Sequence, residues 1–346
     1  MENNKDIKKD IKKDIVILSL ETSCDETASA IVKNGTELIS NVVKSQIDVH
    51  KKFGGVVPEI ASREHVQYCD KVIDEALEQA NYNFDDIDAF AVTYGPGLVG
   101  ALLTGVSYMK ALSYALHKPL IPVNHIHGHV YANYLSKTKP KLPFVCLIAS
   151  GGHSHIVIMH KENEYKIIGR TLDDAAGEAF DKAARVLGLS YPGGPNLSKL
   201  AIGGNKDALL LPTPKLSNKY DFSFSGLKTA FINSCHKLSQ NGKDIPLKDY
   251  AASFESKITD ILAEKTIEAA IDYDIPNVCI AGGVSANAVL REKMSELCAK
   301  HNLKFYMPQL EFCTDNAAMI ASAGYFTYKN GIVADLKLNA IPNLQI

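Results

Sequence analysis

No run of apolar residues in this chain approaches the roughly 18 that a membrane-spanning helix needs. Residues 1–14 lack the apolar core of a secretory signal. The seven cysteines are scattered, odd in number and form no C-x-x-C pair, which argues against a disulfide framework and points to a reduced, cytoplasmic protein. There is no G-x-x-x-x-G-K-S/T run, so the chain is not a P-loop protein. No G-x-G-x-x-G follows the first apolar run, which weakens a dinucleotide-binding reading. Charge of one sign is also missing: 37 Lys and Arg against 39 Asp and Glu leave a net −2. A non-specific nucleic-acid coat draws its affinity from many cations on phosphates and is therefore disfavoured. Recognition of RNA by a local patch, or through a partner, is still open.

What is present is the composition of a globular protein, 46% hydrophobic and 22% charged. Its 346 residues suffice for about two domains, whose cores need no covalent staple. Residues 1–14 read as a flexible tail that repeats Asp-Ile-Lys-Lys from Asp6 to Lys13; the alternative is a helix face of Ile7, Ile11 and Ile15.

From Ile15 the chain sets out a plan and then repeats it. Apolar, β-branched residues 15–20 predict a buried strand. A small polar loop follows, Glu21-Thr22-Ser23-Cys24-Asp25-Glu26-Thr27, then strands over 28–32 and 37–43 around an Asn34-Gly35 turn. The same order returns in 144–149, the loop Ser150-Gly151-Gly152-His153-Ser154, 155–159 and 165–169, as in a structural duplication. Further strands are expected over 88–94, 120–123 and 278–281. Helices are expected over 58–80, 98–116, 177–187, 247–273, 286–299 and 315–328, with another from about His125. In the helix over 58–80, Val66, Cys69, Val72, Ile73, Ala76, Leu77 and Ala80 form the expected buried stripe. Alternating strands and helices predict an α/β fold with two sheets. Glycine pairs at 151/152, 193/194 and 282/283 are expected at strand ends, where open backbone amides attract phosphate. Together they favour a nucleotide held between two lobes.

Seven of the eleven histidines fall between His117 and His160. His125 and His129, four apart at a helix start, share one face and are within reach of one metal ion. Solvated or capping histidines are the alternative, yet residues 122–132 are small and apolar, and buried imidazoles need partners. A zinc protease would carry a Glu after the first histidine; Ile126 stands there, and Gly128 interrupts the helix pattern. Asp315 is a candidate third ligand, with helix capping as its alternative.

These residues resemble the tRNA threonylcarbamoyladenosine transferase family (TsaD in bacteria), once misnamed a sialoglycoprotein endopeptidase. The likeness runs from about Ile15 to Tyr328. It is carried by Leu20-Glu21-Thr22-Ser23-Cys24-Asp25-Glu26-Thr27, Val57-Pro58-Glu59-Ile60-Ala61-Ser62-Arg63 and Gly95-Pro96-Gly97-Leu98. The His125/His129 pair, Ser150-Gly151-Gly152-His153, residues 173–182, Tyr191-Pro192-Gly193-Gly194-Pro195, residues 222–228, residues 282–287 and Thr314-Asp315-Asn316 complete it. The resemblance implies the two-lobed fold of acetate kinase, Hsp70 and actin, with duplicated RNase H-like lobes. Residues 15–124 plus 316–346 would form one lobe, and 125–315 the other, with the nucleotide and metal site in the cleft.

It further implies one divalent ion, Fe2+ or Zn2+, on His125, His129 and Asp315. Ile148, Ala149, Ser150, Gly151 and Gly152 would lie along the phosphate and threonylcarbamoyl part of the substrate. Asp181 would hold the ribose hydroxyls, with Gly194 and Asn287 bordering the nucleoside; for Asp181 the alternative is an ion pair with Arg185. The implied donor is threonylcarbamoyl-AMP, ATP or AMP being able to occupy the same site. The acceptor is N6 of adenosine 37 in tRNAs that read codons beginning with adenine, with Asp25 or Glu26 as a candidate proton acceptor. Implied partners are tRNA, an inactive paralogue of the same fold pairing near the helix over 58–80, and a P-loop ATPase. Lys228 and Arg63 are candidate RNA or cleft contacts. Two departures are visible. Asn124 stands where many bacterial relatives have histidine, and Ile148 and His153 stand where the archaeal and eukaryotic cytosolic branch has tyrosine and asparagine. The chain thus resembles the bacterial or organellar branch. A small-molecule kinase or an actin/Hsp70-type ATPase of the same fold would share the loops but gives no reason for the paired histidines.

Overall fold

The computed structural model describes residues 14–346; the tail reading lies outside them except at Asp14, which pairs with Lys33 at 3.0 Å. By contact the chain gathers into two compact units, residues up to Lys139 with Thr314–Ile346, and Pro140–Cys313.

The first unit opens with an antiparallel meander, β1 (Val16–Glu21), β2 (Glu26–Lys33) and β3 (Glu37–Ser45). A short helix α1 (Ile47–His50) and the long α2 (Pro58–Ala80) lead to β4 (Ala89–Gly95). α3 (Val99–Leu116) returns the chain to β5 (Leu120–Asn124), and α4 (His125–Tyr131) follows at once. β4 lies parallel to β1, and β5 parallel to β4, so the sheet order is β3-β2-β1-β4-β5.

The second unit repeats this order. β6 (Phe144–Ala149), β7 (Ser154–Lys161) and β8 (Glu164–Arg170) form the meander. After α5 (Ala176–Val186), α6 (Gly193–Ala201), α7 (Ser225–Gln240) and α8 (Leu247–Asp272), β9 (Asn277–Ala281) pairs parallel to β6. α9 (Ala288–Lys300) then leads to β10 (Lys304–Tyr306), parallel to β9. The order β8-β7-β6-β9-β10 matches the first sheet strand for strand, so the repeated sequence pattern is a repeated topology. The last helix, α10 (Ala317–Lys329), rejoins the first unit. His125–Tyr131, assigned to the second lobe from sequence, packs in the first unit against α10.

β1 is buried at every position because both its faces are covered, and apolar except at Ser19 and Glu21. Val16, Leu18 and Leu20 join a core with Cys69, Val72, Ile73 and Ala76 of α2 and Val106 and Met109 of α3. On the other face Ser19 donates to Ala317 O at 2.6 Å, and Gly324 lets α10 come close to Ala91 and Ile17. Burial of such apolar surface stabilises by roughly 25 cal/mol per Å² removed from water. The stripe read on α2 is corrected at one position: Val66 is 68% exposed, and its neighbour His65 is buried instead. Thr27 Oγ1 meets His65 Nδ1 at 2.7 Å and Cys24 O accepts from Nε2 at 3.0 Å, so the imidazole is polar but satisfied.

The second core surrounds α8, where Phe231 and Phe254 meet at 4.8 Å between ring centres. The pattern reading did not extract α6 and α7. Their serines, asparagines and glycines blur the 3.6-residue period that reveals α2. The glycine pairs 151/152 and 282/283 follow strands as expected, whereas Gly193 and Gly194 open helix α6.

Candidate functional site

α4 starts where β5 stops, and Asn124 makes the junction: its Oδ1 accepts from the Ile126 amide at 2.8 Å, a helix N-cap. The four-residue spacing then sets the imidazoles of His125 and His129 side by side, ring centres 4.7 Å apart. Gly128, an odd residue for a helix, is explained by closeness: a Cβ there would lie 2.6 Å from Ile320 Cδ1 of α10. Asp315 does not cap α10. Asn316 does, its Oδ1 accepting from Met319 N at 3.0 Å. The Asp315 carboxylate faces the imidazoles instead, with Oδ1 3.4 Å from His125 Nε2 and 3.2 Å from His129 Nε2.

Two imidazole nitrogens and one carboxylate oxygen within 4.8 Å of one another form a candidate cation site. Bond lengths of about 2.0–2.2 Å to a tetrahedral ion put neighbouring ligand atoms about 3.3–3.6 Å apart, close to the 3.4 and 3.2 Å that separate Asp315 Oδ1 from the two imidazole nitrogens. His129 is fully buried, and its Nε2 makes no hydrogen bond that meets ordinary geometry. The donor set fits zinc or ferrous iron. Side-chain exposure of 21% at Asp315 against 1% at His129 leaves one side open.

Glu21 belongs to the motif over residues 20–27, and its partners give it a role. Its Oε2 lies 3.0 Å from His125 Nδ1 and accepts from Thr93 Oγ1 at 2.7 Å; Ser23 Oγ stands 3.1 Å from the same nitrogen. A carboxylate only accepts, so Nδ1 carries the proton and the Nε2 lone pair points toward Asp315 in the neutral ring. Without a metal, burial disfavours a charged His125, yet Asp315 and Glu21 outweigh it and hold its pKa well above the usual value. Burial would raise Asp315, but His125 and His129 hold it well below the usual carboxylate range. A cation bound by these three residues would have to displace the proton that charges His125. A signal for burial of Glu21 was available, though not for its partner: a charged residue closing a largely apolar strand needs a buried partner.

Asp25 and Glu26 sit on the same unit, at the end of the β1–β2 loop. Asp25 is buried, and Ser45 donates to Glu26 Oε1 at 3.1 Å. Burial raises the Glu26 pKa well above its usual value, and the charges of Asp25 and Asp315 add to the rise. Burial also pushes the Cys24 thiol up, with Asp25 and Asp315 helping, so this cysteine is no thiolate nucleophile.

In the second unit, Ile148 and Ala149 are buried in β6, which is paired with β7 on one side and β9 on the other, so neither exposes a side chain to a ligand. Ser150–His153 closes a tight turn in which Ser150 N donates to His153 O at 2.8 Å, leaving Gly151 and Gly152 exposed. The turn abuts the start of α5, where Gly177 N donates to Ser150 O at 3.1 Å, and Gly282 presses on Ala149 O. Asp181 Oδ1 accepts from the amides of Gly193 and Gly194 at 2.8 and 3.2 Å, fixing the opening of α6. Asn287 caps α9 through Leu290 N and donates to Ser198 of α6 at 3.0 Å and to Glu255 at 2.7 Å. Asp181, Gly194 and Asn287 are thus gathered around α6, while Asn287 spends both amide protons on the protein. Lys228 pairs with Asp174, which also holds Lys182, and Arg63 is exposed on α2.

A family profile described as tRNA N6-adenosine threonylcarbamoyltransferase matches residues 37–322. Proteins of that description from Clostridium novyi and Thermosipho africanus are 53% and 52% identical to this chain. Both alignments cover 96% of this chain, and 98% and 100% of the respective relatives. Among solved structures, full-length HypF in a phosphate- and nucleotide-bound form aligns over 91% of this chain and 46% of its own. Its TM-score is 0.63 at 12% identity, a likeness of fold alone. Component A of the Acidaminococcus fermentans (R)-2-hydroxyglutaryl-CoA dehydratase aligns over 92% of this chain and 99% of its own, with TM-score 0.50 at 15% identity.

Proposed function

This chain belongs to the tRNA N6-adenosine threonylcarbamoyltransferase family, and from that premise we propose how its residues divide the work. It is a transferase of the actin-like fold class that modifies N6 of adenosine in tRNA. The position, adenosine 37, and the donor, threonylcarbamoyl-AMP, are our reading.

The observation that carries it is the convergence of His125, His129 and Asp315 beneath the carboxylate of Glu21. These three residues hold one divalent ion, Fe2+ or Zn2+, which when bound supplies Lewis acidity toward a carbonyl or phosphate oxygen. Glu21 keeps His125 in the liganding tautomer. In transfer, N6 forms a bond to the carbamoyl carbon, the carbon–oxygen bond to AMP breaks, and the N6 proton leaves. Glu26 or Asp25, adjacent on the first meander loop, takes that proton in its ionised form. The loop Ser150–Gly152 holds the phosphate through the exposed backbone of Gly151 and Gly152. Asp181 keeps the Gly193–Gly194 backbone open for the nucleoside, and Asn287 braces α9 against α6. An adenine nucleotide alone, ATP or AMP, would take the same groups.

Adenosine N6 is a weak nucleophile, so orientation and fixed charge supply most of the acceleration. The balanced net charge implies that a partner contributes to tRNA affinity. An inactive paralogue and a P-loop ATPase are the partners proposed, with the exposed Val66 of α2 and Val99 of α3 supporting a pairing surface there. Among the described residues no helix is long and apolar enough to cross a membrane, and a cytoplasmic setting is proposed.

The test pairs metal analysis with transfer kinetics. Wild type should carry one ion per chain, and His129→Ala should lose both ion and activity; full transfer by a metal-free His129→Ala protein sinks the metal role. An unchanged pH–rate profile in an Asp25→Asn/Glu26→Gln protein removes both as bases.

A further inference from the structure

We propose that Asn124 is a positioning residue: clamped by the segment 341–345, it fixes the entry of α4 and so the bite of His125 and His129 on a divalent ion. This rests on the metal reading above.

The side chain is 6% exposed and bonded at both ends. Oδ1 caps α4 at Ile126 N, and Nδ2 donates to Gln345 O at 3.0 Å. A carboxamide can do both; a serine caps the helix but is too short to reach Gln345.

The C-terminal stretch 334–345 that receives this bond is itself held by β5, α3, β4 and the turn after β4. Ala334 N donates to Leu120 O at 2.8 Å, Lys110 Nζ to Leu338 O at 3.0 Å, Ile341 N to Tyr94 O at 2.7 Å, and Gly97 N to Pro342 O at 3.1 Å. Contact is close at Gly95, where a Cβ would lie 2.1 Å from Ile341 O and 2.9 Å from Leu344 Cβ. The strap therefore lies against the end of β4 with no room for even a methyl group.

The two histidines depend on α4 unequally. His125 has a side-chain anchor in Glu21. His129 Nδ1 has no hydrogen-bond partner among the described residues, so the placement of that ring rests on the helix backbone. α4 has only seven residues, about two turns, and so short a helix has little stability of its own. Metal sites tolerate errors of about 0.2 Å in ligand position, and the proteins that hold them do so through the partners behind the ligands. The clamp on Asn124 is such a partner for the backbone.

The experiment measures zinc affinity of the full chain by competition with a fluorescent chelator, in wild type, Asn124→Ser and Gly95→Ala. Asn124→Ser keeps a helix cap and loses only the bond to Gln345. Gly95→Ala pushes the strap away and leaves Asn124 in place. We expect each to weaken zinc binding about 10- to 100-fold, with one zinc still bound at saturation, and metal-free Asn124→Ser to melt close to wild type. Wild-type affinity in Asn124→Ser would overturn the proposal and reduce Asn124 to a helix cap. A wild-type chain that takes up no zinc or ferrous iron instead fails the metal reading, and this inference with it.

Discussion

Glu21 shows how much one side chain can decide. It is fully buried, bonded to Thr93 and His125, and its charge is matched by whatever positive charge His125 or a cation supplies. Burial raises its pKa, but His125 more than offsets this and the carboxyl is held below its usual value. Glu21→Gln keeps the shape and removes the charge. The amide can present either an oxygen or an NH2 to Nδ1, so the imidazole loses its fixed tautomer. We expect metal affinity to fall about 10- to 100-fold, and the His125 pKa of the metal-free chain, followed by NMR, to fall toward the ordinary value. An unchanged affinity would show that Ser23 alone suffices to orient the ring. None of this pairing is visible in sequence, because its members come from β1 and α4, and no local spacing links them. What was legible is the part written on one element, the four-residue step from His125 to His129. Asp315 was a candidate from its residue type, but its local signature reads equally well as a cap, a duty that Asn316 performs, and only family likeness favoured the ligand.

At the scale of elements, α2 shows the limit of periodicity. The pattern gave its ends, Pro58 and Ala80, because proline starts a helix well and Asn81 turns left-handed to stop it. It misplaced Val66 because hydrophobicity was taken to mean burial, while the buried member is His65. That imidazole ties α2 to the β1–β2 loop through Cys24 O and Thr27, and Gln46 links it to His50. Burial lowers the His65 pKa; Cys24 O, Glu21 and Asp25 oppose this, and His50 reinforces it. The sign follows. Below about pH 6.5 the unfolded chain binds a proton that folded His65 refuses, so stability is full above that pH and falls as pH drops. His155, lowered by burial and Arg170, acts in the same direction. Urea midpoints should therefore fall between pH 7.5 and 5.5, with a shallower slope in His65→Gln; equal slopes would show that His65 is not among the groups responsible. α6 and α7 escaped pattern reading for a related reason. Their polar, small residues are chosen for the loops and caps they make with Asp181 and Asp173, not for a continuous apolar stripe.

At the scale of the whole molecule, each five-stranded sheet begins with a meander and adds two parallel strands. The first meander loop carries Asp25 and Glu26, the corresponding loop of the second carries Ser150–Gly152, and function has made the two loops chemically different. The duplication was legible because buried strands with small polar loops leave a pattern that survives divergence. The allotment of α4 to the first unit was not, because it depends on packing against α10 from the far end of the chain. The central claim is that this chain modifies tRNA adenosine through His125, His129 and Asp315. It is tested most directly by mass spectrometry of tRNA nucleosides from cells depleted of the protein and resupplied with wild type or a His125→Ala/His129→Ala form. The account predicts that threonylcarbamoyladenosine disappears on depletion, returns with wild type and stays absent with the double variant; an unchanged level on depletion, in cells without a second copy, or full rescue by the double variant, would contradict it.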